Sequence, residues 1–384
     1  MNNEFENLAI SGHESLTSLE EKTTKLSLDK QYKIRLPVNL NTRGALGIEV
    51  ALIQLIGTWL KNNNRNNTVF HSYQKSSPES FEELCSSIYG IAALSMINEV
   101  WDVEKNKLPK GLVLDKAKHT IESLRERQFE DCFSPRYFGV PYIKKRDYDK
   151  EFEMPFYNSD EVIESGAFYR VVEQLLKEKI CFKSHSRFKS LCEMIEIEDL
   201  SSTLWELFKN SHDHGRHDAK GNINSENFRS IMIQQQDITD AYWDQWCGVS
   251  PSDVQNKFRN IWYGKSLRLS FLDFSVVDFG DGFFELAKSK ANTEDSVEVF
   301  IKCMQQGWSR LDDKSRGSGL TKVLNCIQKY KGWLRIRTSN LLLEKTYSEN
   351  DSPLIERSDI RVMNTYVAGT SVHISLPLPS FNQA

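Results

Sequence analysis

The sequence predicts an α/β fold in two parts: a two-layer sandwich of sheet and helices toward the C-terminus, preceded by a smaller α/β module. Three observations carry this. Strand-type alternation and helix-type spacing follow each other in turn between Tyr32 and Trp101. Long runs of strand formers recur at residues 267–279, 332–338 and 369–377. Glycine turns at Gly280 and Gly282, and at Gly317 and Gly319, punctuate the later part of the chain.

The bulk numbers set the frame. At 384 residues, with 39% hydrophobic and 27% charged, the chain is long enough for two or three cored domains. A net charge of −4 gives no footprint for nucleic acid, which usually shows as a basic excess. The apolar stretch 45–60 carries Glu49 and Gln54 and is too short and polar to span a bilayer. Residues 1–30 lack the basic start and apolar core of a signal peptide. Seven cysteines without a CxxC pair point to reduced thiols and a cytoplasmic location rather than structural zinc.

Taken in order, residues 1–30 are polar and weakly patterned, the profile of an N-terminal arm. Residues 31–130 form the small α/β module. Residues 32–38 alternate as a strand, and Leu46, Val50, Ile53, Ile56 and Leu60 then fall at helical spacing. Residues 68–73 read as a second strand and 78–101 as a second long amphipathic helix. Ile56, Trp59, Phe81, Ile88, Leu94 and Ile97 supply its core, and no catalytic pattern stands out, so a binding or scaffolding role is expected. Residues 131–195 read as a connection, with 133–159 aromatic-rich and irregular and 167–179 helical. Residues 196–384 form the C-terminal domain, which holds the chemistry-bearing residues.

That domain opens with a helix over residues 199–214, closed by Gly215, whose buried stripe is Leu200, Leu204, Leu207 and Phe208. Glu206 and Asn210 lie one turn apart on one face. Asn is a mediocre helix former, so its place in mid-helix needs a reason. His212, His214 and His217 with Asp213 and Asp218 offer metal-ligand types, against the plainer reading of a solvated helix end and loop.

The strand of residues 267–279 runs into Asp278-Phe279-Gly280-Asp281-Gly282. Asp and Gly are common turn formers. An acceptor-only carboxylate in a dry pocket would also select an amino group over a keto group, and glycine lets a ligand approach the backbone closely. Further on, the polar segment 307–316 leads into Gly317-Ser318-Gly319-Leu320 at the start of a helix. A helix N-terminus offers unpaired N–H groups and a positive dipole end to an anion. Ser309, Arg310, Lys314, Ser315 and Arg316 are the hydroxyl and basic residues of that segment. Lys322 stands where a dinucleotide loop needs its third glycine, and the Walker pattern is absent. Gly369-Thr370 opens the last strand.

In this order the four pieces resemble the GHKL (Bergerat-fold) superfamily of histidine-kinase-like ATPase domains. Glu206-Leu-Phe-Lys-Asn210 is similar to its N box, Asp278-x-Gly-x-Gly282 to its first glycine box and Gly317-Ser-Gly-Leu320 to its second. The continuation Asn210-Ser-His-Asp-His214 is closest to the small anti-sigma-factor-type kinases. The resemblance covers under half of the chain. It implies a Bergerat-type mixed sheet covered by helices on one face, with ATP and Mg²⁺ as ligands. In that picture Glu206 orients or deprotonates the attacking water and Asn210 holds Mg²⁺. Asp278 reads the adenine amino group, with Gly280 and Gly282 under the ring. Ser315, Arg316, Gly317, Ser318, Gly319 and Leu320 hold the phosphates and anchor a lid over residues 284–316. The Thr370 hydroxyl supports Asp278 directly or through water. Residues 237–264, rich in Trp and Tyr, depart from the pattern as an insertion, read as a partner surface or an additional subcore.

The function implied is an ATP-dependent conformational switch, hydrolysing slowly or when bound to a protein partner or a second copy. The alternatives are a serine/threonine kinase of the anti-sigma-factor type and a non-hydrolysing nucleotide sensor. His119, followed by Thr120-Ile121-Glu122, does not make the phospho-acceptor helix of a sensor histidine kinase.

Overall fold

The computed structural model describes residues 6–26, 30–40, 46–63, 68–71, 81–145, 148–149, 151–218, 220, 222–239, 253–262, 269–281, 287, 295–305 and 319–379. The chain is a mixed α/β protein built around two larger sheets.

The first sheet collects β1 (Glu6–Ala9), β2 (Tyr32–Arg35), β3 (Val69–His71), β4 (Glu99–Trp101) and β5 (Lys107–Leu108) in that spatial order. The first four strands are parallel and β5 turns back antiparallel. Helices α1 (Leu16–Lys25), α2 (Ile48–Asn62), α3 (Glu82–Cys85) and α4 (Ile88–Met96) connect them, and α5 (Lys110–Arg125) follows. The six core residues expected for this module, Ile56, Trp59, Phe81, Ile88, Leu94 and Ile97, are all fully buried.

Three expectations for this region are corrected. Residues 1–30 are not simply a polar arm, because β1 pairs with β2 and α1 docks. The signal was Ser15 as N-cap and Leu16, Leu19 and Thr23 as a narrow buried stripe among charges. The helix expected over 78–101 is broken into α3, α4 and strand β4. Ser87 caps α4 by accepting from Gly90 N–H, and a Cβ on Gly90 would lie 1.9 Å from Leu84 O, so the chain turns tightly there. Residues 131–195 do more than connect. They contribute β6 (Tyr137–Lys145), β7 (Tyr148–Asp149), the small hairpin β8 (Tyr157–Asn158) and β9 (Glu161–Val162), and helices α6 (Ser165–Leu175) and α7 (His185–Met194).

The second sheet has the order β12 (Trp333–Thr346), β13 (Ile360–Leu378), β11 (Leu269–Asp278), β10 (Asn227–Ile238), β6, β7. Every neighbouring pair is antiparallel. This corrects the expected mixed sheet: β11 and β12 share a direction, but β13 lies between them. Helices α8 (Ile197–Asp213), α9 (Asp253–Trp262), α10 (Ser296–Met304) and α11 (Gly319–Lys329) complete the chain.

Strand alternation sorts the faces. Leu272, Phe274 and Val276 of β11 join the core that holds Leu200, Leu204, Leu207 and Phe208 of α8 and Val323, Leu324 and Ile327 of α11. Phe271, Val277 and then Phe279 join the core of α2 and α4. Helices therefore lie on both faces of this sheet, not one. Helix α2 explains why it can sit there: residues 48–60 are buried except Glu49, as a helix apolar nearly all round requires. Its Trp59 indole N–H donates to Tyr32 O of the first sheet at 2.7 Å, while Gln54 Nε2 donates to Arg337 O of the second at 2.8 Å. Within the inserted segment, Phe258 and Trp262 of α9 are buried on this same side, with the Phe258 ring 5.5 Å from that of Phe271.

Candidate functional site

Helix α8 turns its apolar stripe toward β11 and leaves Glu206 and Asn210 partly exposed on its flank. The Glu206 carboxylate receives the Lys322 ammonium at 3.3 Å. The first residue of α11, Gly319, lies against the same carboxylate: a Cβ there would be 2.3 Å from Glu206 Oε2. Glycine is what lets the α11 N-terminus come this close, and the positive end of its dipole favours a carboxylate. Asn210 donates or accepts no side-chain hydrogen bond among the described residues. Leu320 is half-buried and packs on the α8 side core.

Asp278 ends β11 and is 5% exposed. Glycine surrounds it on three sides. A Cβ on Gly215, just past the end of α8, would lie 2.5 Å from Asp278 Cγ. One on Gly280 would lie 2.5 Å from Gly215 O, and one on Gly369 would lie 1.8 Å from Asp278 O. Gly369 also has φ +64°, a left-handed backbone that favours glycine. Burial pushes the Asp278 carboxyl up to about 7, opposed by the Gly280 N–H at 3.0 Å, by the Arg229 charge and by the Thr370 backbone.

Thr370 is buried beside it, but its hydroxyl pairs with the Thr338 hydroxyl at 2.9 Å, and its contact to Asp278 is through the backbone. β12 and β13 bring Thr338 and Thr370 into register, which sets the two hydroxyls against each other. Gly282, Ser315, Arg316, Gly317 and Ser318 lie outside the described residues, as do Ser309, Arg310 and Lys314.

The histidines of the helix end divide. His212 is drawn into the fold, with Nδ1 2.9 Å from the Tyr157 hydroxyl. Burial, together with the charges of Arg229 and Arg216, pushes it down to about 3, so it is neutral at physiological pH. Among the described residues no group of three or more His, Cys, Asp or Glu side chains is placed to hold a metal ion.

One site residue was not singled out from sequence. Arg229 is the cross-strand partner of Asp278 and is fully buried. It donates to the Tyr157 hydroxyl at 2.7 Å, and its guanidinium sits 5.5 Å from the Tyr142 ring centroid and 5.8 Å from that of Phe208. An arginine two positions before the apolar run Ile231-Met232-Ile233 of one strand was the available signal, because a charge is buried only when something requires it.

A separate cleft of about 960 Å³ lies at the other end of α2, among Asn39, Glu49, Ser87, Arg136, Tyr137 and Asp237. Its polar groups already pair with one another: Arg136 with Asp237 at 2.5 Å, and Glu49 with the Tyr137 hydroxyl at 2.8 Å. Comparison with protein-family models, with curated proteins and with solved structures finds no match for this chain. No helix among the described residues is long and apolar enough to cross a membrane.

Proposed function

We propose that the C-terminal half binds ATP with Mg²⁺ in the Asp278 site and works as an ATP-dependent switch. The observation that carries this reading is a buried acceptor, Asp278, walled by Gly215, Gly280 and Gly369, at a strand end. A carboxylate accepts from the 6-amino group of adenine but repels the keto group of guanine. Arg229 and the Gly280 N–H favour the ionised form that does this.

Asn210 fits a Mg²⁺ ligand: its amide has no other partner among the described residues and shares a helix face with Glu206. Mg²⁺ usually takes one or two protein oxygens and completes its shell with water and phosphates, so a single amide suffices. Bound there, it would neutralise phosphate charge. The α11 N-terminus at Gly319 faces the same space. In hydrolysis, Glu206 takes a proton from water as the water oxygen attacks the γ-phosphorus. The bond to the bridging oxygen breaks, and ADP and phosphate leave.

The ion pair between Glu206 and Lys322 also favours a second reading, a nucleotide sensor that barely turns over, because the Lys322 ammonium takes up a carboxylate oxygen that an attacking water would need. Hydrolysis assays on wild type, Glu206→Ala and Lys322→Ala separate the two. A switch that hydrolyses loses turnover by about 10²-fold or more in Glu206→Ala and gains it in Lys322→Ala. Equal rates in all three, with ATP bound, leave the sensor. Titration of wild type with ATP that shows no binding removes both.

A further inference from the structure

We propose that helix α2 of the N-terminal module positions the Asp278 pocket through Phe279, so that nucleotide occupancy is coupled to the packing of that module. This rests on the nucleotide reading above and names a control element within it.

Gly57 stands in the interior of α2, where glycine is less favourable than alanine. The reason for it is on the adjoining surface. A Cβ at position 57 would lie 2.6 Å from Cδ1 of Phe279. The ring has little room to yield: Phe279 is 4% exposed and its ring centroid is 5.0 Å from that of Phe228. Its backbone N–H is held by Phe228 O at 2.9 Å. Phe279 follows Asp278 directly, and strand alternation sends the two side chains to opposite faces. A push on the Phe279 ring from α2 is therefore delivered to Asp278 and to the Gly280 N–H that holds it.

The other lip of the pocket is held by the same helix. The Thr58 hydroxyl accepts from Ala368 N–H at 3.0 Å, immediately before Gly369. Gln54 Oε1 accepts from the Ser371 hydroxyl at 2.7 Å, immediately after Thr370. In the last turn Lys61 pairs with Asp281 at 2.7 Å. Residues 279–281 and 368–371 are the two backbone segments that flank Asp278, and α2 grips both. A helix that merely filled the core would need none of the polar contacts and no glycine at the one point nearest Phe279.

The test uses the full chain as wild type, Gly57→Ala and the double variant Gly57→Ala/Phe279→Leu. ATP and GTP affinities are measured by calorimetry, alongside thermal unfolding. The expected result is ATP binding weaker by about tenfold in Gly57→Ala, with a narrowed ATP-over-GTP preference, and recovery of both in the double variant, whose smaller side chain makes room. A merely structural contact would move the unfolding midpoint and leave the preference alone. Unchanged affinity and preference in Gly57→Ala overturn the proposal. Should Gly57→Ala fail to fold, Thr58→Val takes its place, since it removes the acceptor of Ala368 N–H, along with the hydroxyl's bond to Gln54 O within α2, and predicts the same narrowing. If wild type binds no ATP, the nucleotide reading fails by itself. Amide hydrogen exchange then decides the positioning claim. Faster exchange at Gly280 and Thr370 in Thr58→Val supports it, and unchanged exchange overturns it.

Discussion

Strand β11 carries two buried aspartates on opposite faces, Asp273 and Asp278, and their surroundings differ in kind. Asp278 meets a backbone N–H, a cross-strand arginine and three glycines, and burial raises it to about 7. Asp273 lies under the N-terminal module, with Glu49, Gln234, Gln236, Ser275 and His373 around the same small cavity. Burial raises it to about 8, opposed only by Ser375. Both carboxyls are displaced from the ordinary range by the same cause. Only one is furnished with several groups that favour the ionised form and with glycines packed closely around it. Burial alone therefore does not distinguish the two; the groups that oppose its effect do.

The largest expected effect breaks the glycine wall itself. Gly369→Ala sets a Cβ 1.8 Å from Asp278 O at a backbone φ of +64°, so both contact and conformation oppose it. A loss of about 2–4 kcal/mol is expected, read from the urea midpoint. Stability within about 0.5 kcal/mol of wild type would mean that the wall is loose.

Next comes a test of the other aspartate. The folded-state value of Asp273 lies above its unfolded value, so the native state holds the proton more tightly. Stability from this group is present below about 3.8 and is lost as pH rises toward about 8. Asp273→Asn should flatten that fall in unfolding midpoint between those limits and leave ATP affinity unchanged. If it weakens ATP binding as well, the two faces of β11 are not functionally separate.

The smallest effect belongs to the exposed pair of Lys61 with Asp281. Side chains 48% and 28% exposed make a screened contact, and Lys61→Ala should change stability by no more than about 0.5 kcal/mol. A larger loss would move the weight of the α2 contact from the buried Gly57 and Thr58 to the surface.

Much of this region was legible in the sequence because its residues are out of character for their elements. A mid-helix Asn210, an acceptor before paired glycines and a glycine opening α11 each break a local preference. The buried stripe of α8 and the six core residues of the module were legible from spacing alone. What was not legible depends on contacts distant in sequence. Thr370 gives no hint of Thr338 until β12 and β13 set the two in register. Gly57 reads as an ordinary small residue in an apolar helix until Phe279, over 200 positions away, fills the space above it. The N-terminal arm reads as polar because its Glu20 is charged, yet that carboxylate meets Arg335 at 2.6 Å and Arg337 at 3.3 Å. Those arginines are buried, and Glu20 shares them with Glu344, 3.8 Å from Arg335, and with the Ser339 and Thr365 carbonyls that accept from Arg337.

The most direct test of the central claim is calorimetric titration of wild type and Asp278→Asn with ATP and GTP in the presence of Mg²⁺. The predicted result is that wild type binds ATP in preference to GTP, and that Asp278→Asn loses about tenfold or more in ATP affinity while its fold is retained. ATP binding as tight in Asp278→Asn as in wild type, or no preference for ATP in either, would contradict Asp278 as the residue that reads the base.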